Sequence, residues 1–357
     1  MTTINTPHYP VYFNDKVYAG LSALVQPAKY SMAILIADSN TSQHCLPTLL
    51  GAFATEVPIE IIEIEAGEQN KTIETCTQVW EALAEIGADR KSIIINVGGG
   101  MVTDLGGFIA ATFKRGIDFV NVPTSLLGMV DASIGGKTGV DLGSLKNQVG
   151  VITNPKAVFI DTTYLQTLPQ QEMRSGLAEM LKHGLIADRG YWNNFTDLES
   201  LTSDDLDVLI HRSVDIKNEI VSQDPLEKGL RKVLNFGHTL GHAIESYCLE
   251  NEEMPFLLHG EAIAIGMILE AFISTEQGLL QPEEYREIKT VISSLFQAVS
   301  FSANDIGPIT KLLTHDKKNE YGEVHFVLLE AIGRPVYGKK ADKNLIYKAF
   351  EDYSKQY

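Results

Sequence analysis

The chain has 357 residues, of which 44% are hydrophobic and 21% are charged. This balance predicts one or two globular domains and excludes a disordered chain, a collagen-like repeat and a disulfide-stapled miniprotein. The formal net charge of −17 disfavours a nucleic-acid partner, because the field of an acidic protein repels polyanions. A small phosphorylated ligand stays compatible with it, since a few lysines and arginines can converge in one pocket.

Cysteine usage and the first residues indicate where the protein works. The three cysteines are widely separated and form no C-x-x-C motif, which is typical of a reducing compartment; they are Cys45, Cys76 and Cys248. The segment MTTINTPHYPVYF lacks the basic and apolar regions of a signal peptide, and no apolar run reaches the roughly 18 residues of a membrane span. We therefore expect a cytoplasmic protein that is neither exported nor embedded in a membrane.

Short β-branched runs alternate with helical patterns in the first part of the chain. We predict strands at 32–38, 59–64, 92–97, 117–122 and 157–161. Between them, segment 74–87 has the apolar spacing of a helix, with Val79, Leu83 and Ile86 near one face. This alternation predicts a parallel α/β sheet, with room for antiparallel pairing at an edge.

After about residue 168 the pattern becomes mainly helical. We predict helices at 170–187, 202–223, 231–249, 259–278, 282–297 and 344–356. The exception is 324–338, where two β-rich runs flank a glycine-containing turn and predict a hairpin. The expected fold class is α/β plus all-α, with an α/β domain at 1–168 and a mainly α-helical domain at 169–357.

A glycine-rich turn follows the third predicted strand. The segment INVGGGMVTDLGGFIAA at 95–111 predicts a strand, a tight turn and then a helix. Free N–H groups at the start of a helix bind phosphate or pyrophosphate, but the usual G-x-G-x-x-G spacing is absent, so a purely structural turn is an equal alternative. Asp38, at the end of the first apolar strand, is either a ribose ligand or a turn or cap residue.

Segment 122–150 is rich in glycine and small polar residues, and we predict it to be loop-like. Long loops inside compact domains are often functional. Two lysines embedded in glycine-rich chain favour anion binding over an ordinary solvated loop. The polar residues singled out in this segment are Asp131, Lys137, Lys146 and Asn147.

The strongest local signal is a group of histidines with one carboxylate. His238 and His242 are four residues apart and so project from one helix face, and the glycine that precedes each of them is expected to clear space beside the ring. His259 begins the next helical stretch, and Glu179 is an acid in an apolar helical segment. Two or three histidines with one carboxylate are the ligands of catalytic zinc, so we favour a metal site over separate structural roles; the metalloprotease spacing H-E-x-x-H is absent.

Several blocks in order resemble the 3-dehydroquinate synthases, a family of sugar-phosphate cyclases. The resemblance runs from about Asp38 to the DKK at 316–318. The blocks that carry it are GEQNK (67–71), GGGMVTDLGGFIA, FKRG, VPTSLLGMVDASIGGKTGVD, KNQVG, AEMLKHG, LRKVLNFGHTLGHAIE and LHGEA. The resemblance implies a Rossmann-like N-terminal domain that binds NAD, an α-helical C-terminal domain and an active site in the cleft between them.

The resemblance also implies two cofactors. A divalent metal, zinc or cobalt, would be held by Glu179, His238 and His259, whereas His242 would face the substrate; this differs from the two-histidine clamp that spacing alone suggests. The positions implied to contact NAD are Asp38, Ser39, Asn40, Glu68, Lys71, Gly99, Gly100, Met101, Asp104, Thr124, Ser125, Lys146, Tyr164 and Thr167.

The implied reaction converts 3-deoxy-D-arabino-heptulosonate 7-phosphate to 3-dehydroquinate and phosphate. It proceeds by transient oxidation by NAD, elimination of phosphate, re-reduction, ring opening and an intramolecular aldol. His242 and Glu227 match positions with proton-transfer roles, Glu227 being the weaker candidate because the substrate phosphate can act as base. The other implied substrate positions are Arg115, Asp131, Lys137, Asn147, Lys182, Lys217, Arg231, Asn235 and Lys317. A homodimer is a further expectation from the family.

Three alternatives stay open at this point. Other sugar-phosphate cyclases act on substrates that lack the carboxylate, but His242 and the cations Lys217, Arg231 and Lys317 favour a carboxylated substrate. A metal- and NAD-dependent polyol dehydrogenase would accumulate NADH, whereas a cyclase would not. A protein that only binds nucleotide is disfavoured, since every polar position of the family pattern is filled.

Overall fold

The computed structural model describes residues 2–143, 145–196, 202–313 and 324–355. The chain divides into two compact units. Unit 1 comprises Met1–Met173 with Ile210–Ser222, and unit 2 comprises Arg174–Leu209 with Gln223–Tyr357. The functional domains at 1–168 and 169–357 stay a prediction, because the units are defined by packing and not by what each one binds.

Unit 1 is built on a central β-sheet. The strands of the unit are β1 (Ile4–Asn5), β2 (Pro10–Phe13), β3 (Met32–Asp38), β4 (Ile59–Ile64), β5 (Ser92–Gly98), β6 (Asp118–Pro123), β7 (Lys137–Leu142), β8 (Leu145–Ile152) and β9 (Val158–Ile160). Seven of them form one sheet in the order β1-β2-β9-β6-β5-β3-β4. Every neighbouring pair in it is parallel except β1 and β2 at the edge. The predicted parallel sheet and its antiparallel edge are therefore confirmed.

Helices cover the sheet of unit 1. They are α1 (Val17–Leu24), α2 (Ser39–His44), α3 (Leu46–Ala52), α4 (Ile73–Glu85) and α5 (Gly100–Thr112). One core cluster joins Ile36 of β3 and Ile94 of β5 to Val79 and Leu83 of α4 and Leu105 of α5. All seven residues of β5 are buried, which explains why the central strands are continuous β-branched runs and not alternating ones.

The prediction that segment 122–150 is loop-like is wrong in part, because β7 and β8 form an antiparallel hairpin there. Gly139 and Gly150 pair across this hairpin. A Cβ on Gly139 would lie 2.6 Å from the carbonyl oxygen of Val149, and one on Gly150 would collide with the carbonyl oxygen of Thr138. The glycines that suggested a loop are thus needed for the close approach of two strands.

Unit 2 is mainly helical. The helices that follow β9 in the chain are α6 (Gln170–Ala187), α7 (Arg189–Asn193), α8 (Ser203–Gln223), α9 (His238–Glu250), α10 (His259–Glu276), α11 (Pro282–Leu295), α12 (Ala303–Leu312) and α13 (Lys343–Ser354). The buried helix α10 packs against α9, α11 and α13, and the division between the units falls within α8. An α/β N-terminal part followed by a mostly helical remainder is confirmed. In the described part of the chain, no helix has both the length and the apolar character that crossing a membrane requires.

The structure confirms the predicted hairpin and corrects one helix. Strands β10 (Phe326–Ala331) and β11 (Arg334–Lys339) pair in antiparallel fashion within the predicted segment 324–338 and one residue beyond it. The single helix predicted at 231–249 is instead a 3-10 helix, Leu230–Asn235, followed by α9. Gly237 has φ +77 and interrupts the helical path, so His238 is the first residue of α9.

Candidate active site

Most of the predicted NAD residues lie at the carboxyl ends of parallel strands in unit 1. Asp38 ends β3, Gly99 and Gly100 follow β5, and Thr124 and Ser125 follow β6. The direction of the strand order changes at β3. The chain passes from β3 to β4 on one side of it and then crosses to β5 on its other side. Ligands of open α/β sheets bind outside the carboxyl ends of the strands at such a switch point.

The N-terminus of α5 has the character of an anion site. Gly99 is its N-cap residue, and no side chain of the described residues caps this end of the helix. A Cβ on Gly99 would lie 3.1 Å from Ser125 Oγ, and one on Gly100 would lie 3.2 Å from the Cβ of Ala132. Because neither glycine has a side chain, a narrow gap leaves the backbone N–H groups at this helix end accessible. The N-terminus of α5 therefore fits a pyrophosphate. Met101 is the second residue of the same helix.

Asp38 adopts the capping role that the sequence left as one alternative. Its Oδ1 accepts a hydrogen bond from the backbone N–H of Thr41 at 2.9 Å, and its own N–H donates to the Thr41 hydroxyl at 3.0 Å. This reciprocal capping box starts α2, whose first two residues are Ser39 and Asn40. The cap fixes all three residues at the end of β3, and their contact with a ribose stays a prediction.

Lys71 gathers several predicted site residues around one buried charge. Its side chain is 3% exposed, and Nζ lies 2.7 Å from Asp104 Oδ2, 2.7 Å from Asn147 Oδ1 and 3.5 Å from Glu68 Oε1. Burial alone would lower the pKa of Lys71, but the charges of Asp104 and Glu68 outweigh burial and raise it above its usual value. Lys71 is therefore a fixed cation.

A second network lies beyond the end of β9. The Tyr18 hydroxyl donates to Asp161 Oδ2 at 2.6 Å and lies 3.2 Å from the Tyr164 hydroxyl. Burial raises the pKa of both phenols, that of Tyr18 to about 12, so both stay protonated donors. Thr167 ends the 3-10 helix that contains Tyr164, and Lys146 lies on β8.

Two of the substrate residues predicted in unit 1 form an ion pair. Lys217 donates from Nζ to Asp131 Oδ1 at 2.6 Å and to the Asp131 carbonyl oxygen at 2.7 Å. Arg115 ends the 3-10 helix Phe113–Arg115, Lys137 begins β7, and both side chains are exposed. The structure thus joins Lys217 with Asp131, and the substrate roles of all four residues stay predictions.

The predicted metal ligands come together in unit 2. Glu179 is fully buried on α6, and its Oε1 lies 3.5 Å from His238 Nε2 and 3.8 Å from His259 Nε2. The other carboxylate oxygen, Oε2, is ion-paired with Lys182, one turn along the helix and 1% exposed. Within the described residues, Oε1 of Glu179 has no hydrogen-bond partner.

These residues fit a metal ion. Zinc bonds of about 2.0–2.2 Å in tetrahedral geometry place ligand atoms about 3.4 Å apart, close to the separations seen around Glu179 Oε1. A buried carboxylate oxygen without a hydrogen bond is costly unless a cation is beside it. One carboxylate oxygen and two imidazole nitrogens are also the donor set of catalytic zinc. Whether these three are the ligands stays a prediction.

Local structure sets the direction of the His238 ring. His238 Nδ1 lies 3.1 Å from the carbonyl oxygen of Phe236, an acceptor, so Nδ1 carries the proton and the Nε2 lone pair points to Glu179. The buried carboxylate of Glu270 accepts from the N–H of Gly237 at 2.7 Å and of Leu240 at 3.1 Å. Glu270 therefore caps the start of α9 from a different helix.

The glycines beside the histidines have another role than the one predicted. A Cβ on Gly237 would lie 2.5 Å from Met267 Cγ, and one on Gly241 would lie 2.8 Å from Ile263 Cδ1. Both neighbours belong to α10. The glycines thus let α9 and α10 approach closely, and the expectation that they clear space beside the rings is wrong.

His259 is held where α10 begins. The N–H of the next residue, Gly260, donates to Ser175 Oγ on α6 at 3.0 Å. A Cβ on Gly260 would collide with the backbone of Ser175. The start of α10, with His259, is therefore fixed against α6, the helix that carries Glu179.

His242 lies with the two histidines of the predicted metal site. Its ring centre is 5.2 Å from that of His238 and 5.6 Å from that of His259, and one nitrogen from each ring lies within 4.8 Å of the others. The resemblance implies that His242 faces the substrate, and this role stays a prediction.

A short segment before α9 brings three further predicted residues together. Asn235 donates from Nδ2 to Glu227 Oε1 at 2.8 Å, and buried Arg231 donates from Nη1 to the carbonyl oxygen of Pro225 at 2.8 Å. Asp224 organises the segment by accepting from the N–H groups of Lys228, Gly229 and Arg231. Lys317, the last predicted cation, lies outside the described residues.

Comparison with known proteins identifies the family to which this chain belongs. The family model described as the N-terminal part of 3-dehydroquinate synthase matches residues 61–175, and the C-terminal one matches 176–319. The 3-dehydroquinate synthase of Parabacteroides distasonis is 39% identical over 339 residues, which cover 94% of this chain and 95% of the relative. The chain belongs to the 3-dehydroquinate synthase family.

Solved structures of other cyclases share the fold of this synthase family member. A 2-epi-5-epi-valiolone synthase from Streptomyces hygroscopicus, with NAD⁺ and Zn²⁺ bound, matches with a TM-score of 0.84 at 27% identity and covers 99% of each chain. A 2-deoxy-scyllo-inosose synthase in complex with carbaglucose-6-phosphate, NAD⁺ and Co²⁺ matches with a TM-score of 0.83 at 27% identity, over 98% of this chain and 100% of that chain. The fold is thus that of a sugar-phosphate cyclase.

Sequence reasoning missed three acids that support the site. Glu245 Oε2 lies 3.3 Å from His259 Nδ1, Glu270 caps α9, and Asp224 organises the segment with Arg231. For Glu245 a signal existed, since it follows His238 and His242 at the i, i+4, i+7 spacing of one helix face. For Glu270 and Asp224 no signal existed, because their partners are backbone N–H groups.

Proposed function

We propose that the protein converts 3-deoxy-D-arabino-heptulosonate 7-phosphate to 3-dehydroquinate and inorganic phosphate, with NAD and one divalent metal, zinc or cobalt. The observation that carries this proposal is the buried oxygen of Glu179 that faces Nε2 of both His238 and His259. In a chain of the 3-dehydroquinate synthase family, such a donor set supports a metal-dependent reaction at a substrate hydroxyl.

The metal would be held by Glu179, His238 and His259. Lys182 neutralises Oε2 of Glu179 and leaves Oε1 directed to the two imidazoles. NAD would lie across the switch point of the unit 1 sheet, with its pyrophosphate at the N-terminus of α5. When bound, NAD supplies reversible removal of a hydride from one substrate carbon, and the metal polarises the hydroxyl on that carbon.

Charged side chains of the chain would bind the two anionic ends of the substrate. Phosphate and carboxylate each favour guanidinium and ammonium donors. Arg231 is 2% exposed, and its guanidinium is positioned by the carbonyl oxygen of Pro225. Lys182 and Lys217 are each ion-paired with an acid, so their ammonium groups are held in place before a ligand arrives. This pre-organisation lowers the entropic cost of binding.

His242 is the residue that we assign to proton transfer. It lies beside both histidines of the metal site, and a neutral imidazole takes up or donates a proton near neutral pH. Glu227 accepts a hydrogen bond from Asn235 and is the weaker candidate for the same role, because the substrate phosphate can itself act as base.

The decisive experiment incubates the metal-loaded protein with heptulosonate phosphate and catalytic NAD, and follows phosphate release and NADH absorbance together. The expected result is stoichiometric phosphate without accumulating NADH. Accumulating NADH would indicate a polyol dehydrogenase instead. Phosphate released from sedoheptulose 7-phosphate but not from heptulosonate phosphate would indicate another sugar-phosphate cyclase.

A variant of one residue tests the metal assignment. Glu179→Gln keeps the volume of the side chain but removes the negative charge, so it should abolish turnover while leaving the fold intact by circular dichroism. Glu250→Gln, an exposed acid at the end of α9, is the matched control and should keep full activity. Retained activity in Glu179→Gln would contradict the assignment.

We further propose that the protein works in the cytoplasm as a homodimer. The three buried, unpaired cysteines support a reducing compartment. The dimer is the expectation from the family, and light scattering after size-exclusion chromatography would then show about twice the chain mass of 39.3 kDa.

A further inference from the structure

We propose that Glu245 is a positioning residue that orients His259 for metal binding. The inference depends on the proposed function, because it takes His259 as a ligand of the metal. Glu245 lies on α9 and His259 begins α10, so the contact joins two helices of unit 2.

The geometry places a carboxylate behind the ring of His259. Glu245 Oε2 lies 3.3 Å from His259 Nδ1, while Nε2 of the same ring lies 3.8 Å from Glu179 Oε1. An ionised carboxylate only accepts hydrogen bonds, so this contact needs the proton on Nδ1. The Nε2 lone pair is then directed to the predicted metal position.

The two histidines of the site are held from behind by different acceptors. His238 Nδ1 faces the neutral carbonyl oxygen of Phe236 at 3.1 Å, whereas His259 Nδ1 faces the negative charge of Glu245. A carboxylate raises the basicity of the imidazole more than a carbonyl does, which strengthens its bond to a cation. Glu245 is 6% exposed, so solvent screens this interaction little.

Helix α9 provides two histidines of the site and the carboxylate that contacts a third histidine, His259. His238, His242 and Glu245 follow each other at i, i+4 and i+7 and so share one face. The first two present imidazoles at the cluster, and the third reaches the ring that α10 contributes. Loss of such an outer-shell carboxylate typically lowers metal affinity 10- to 100-fold.

The test measures metal affinity directly. Apo-protein is titrated with Zn²⁺ in competition with a chromophoric chelator, for the wild type, Glu245→Ala, Glu245→Gln and Glu250→Gln. We expect Glu245→Ala to bind Zn²⁺ roughly 10- to 100-fold more weakly. Glu245→Gln should lose less, because its amide oxygen still accepts from Nδ1–H. Glu250→Gln, at the exposed end of the same helix, should match the wild type.

A second readout separates orientation of the ligand from general stability. The visible absorption of bound Co²⁺ reports its coordination, and it should change in Glu245→Ala and not in Glu250→Gln. If Glu245→Ala does not fold by circular dichroism, Glu245→Gln decides the question in the same two assays. Zn²⁺ affinity and a Co²⁺ spectrum equal to the wild type in the folded Glu245 variants would overturn the inference.

The failure of this inference can be told apart from failure of the proposed function. If the wild type binds one Zn²⁺ per chain and Glu179→Gln does not, the metal site stands, and unchanged Glu245 variants refute only the role of Glu245. If the wild type does not bind Zn²⁺ at all, the metal site is refuted and the role of Glu245 with it.

Discussion

Glu270 is expected to stabilise unit 2 far more than any exposed acid of the same helix. It is fully buried on α10, and its two oxygens accept from the N–H of Gly237 and of Leu240 at the start of α9. No side chain of α9 itself provides its N-cap bond, among the residues that the structure describes, since its N-cap residue is Gly237. The perturbation is Glu270→Gln, which preserves the volume.

The magnitude follows from the two bonds and the charge. The glutamine has one acceptor oxygen, so one buried N–H loses its partner, which costs about 1–3 kcal/mol. The lost negative charge near the N-terminus of a helix adds roughly 0.3–2 kcal/mol. Together these give a loss of about 1–5 kcal/mol in the free energy of unfolding. Because His238 is the first residue of α9, Zn²⁺ affinity should fall as well.

The assay is urea unfolding followed by tryptophan fluorescence. The chain has two tryptophans, and a Trp80→Phe background leaves Trp192, which is buried in unit 2, as the reporter. The matched control is Glu276→Gln at the exposed end of α10, which should change the free energy of unfolding by less than about 0.5 kcal/mol. A loss in Glu270→Gln no larger than in this control would refute the capping role.

Three further predictions concern thiols, pH and the hairpin. Burial raises the pKa of all three thiols, so Ellman's reagent at pH 8 should titrate none in the folded protein and three in urea; the values are about 11 for Cys45 and Cys248 and about 12 for Cys76. The pKa of Asp224 is lowered from 3.8, chiefly by the hydrogen bond that its carboxylate accepts from the N–H of Gly229. The free energy of unfolding that Asp224→Asn loses at pH 6 should therefore shrink as the pH falls below 3.8 and the carboxylate of the folded protein takes up a proton. Gly150→Ala should destabilise by about 1–3 kcal/mol in thermal unfolding, whereas Gly51→Ala, with open space around it, should not.

The central strands could be predicted from the sequence, and the hairpin of β7 and β8 could not. A strand buried on both faces needs a continuous apolar run, and β3 and β5 supply one at nearly the predicted bounds. The hairpin instead exposes Leu142, Val149 and Val151 and contains glycines, so its composition matches that of a loop. The reason for Gly139 and Gly150 becomes visible only when the backbones of β7 and β8 are paired.

The sequence points to the residues that gather around Glu179, but not to what orients them. Histidine and glutamate were recognisable by type and spacing, since two or three histidines with one carboxylate are the ligands of catalytic zinc. The direction of each ring depends on Nδ1 partners, the carbonyl of Phe236 and the carboxylate of Glu245. The first is a backbone atom and the second acts on a residue of another helix, so neither follows from periodicity along one segment.

Among the residues that the structure describes, each of the three buried lysines of this acidic chain is paired with an internal carboxylate. Lys71 is paired with Asp104, Lys217 with Asp131, and Lys182 with Glu179. A buried ammonium without a counter-charge would lose its proton or destabilise the fold, so these pairs keep the lysines charged where water does not reach. If Lys182 and Lys217 bind the substrate as proposed, each does so as a cation that is fixed in position but already partly neutralised. Discrimination among anions should then depend on matching the geometry of these pairs, since net attraction to a chain of charge −17 is absent.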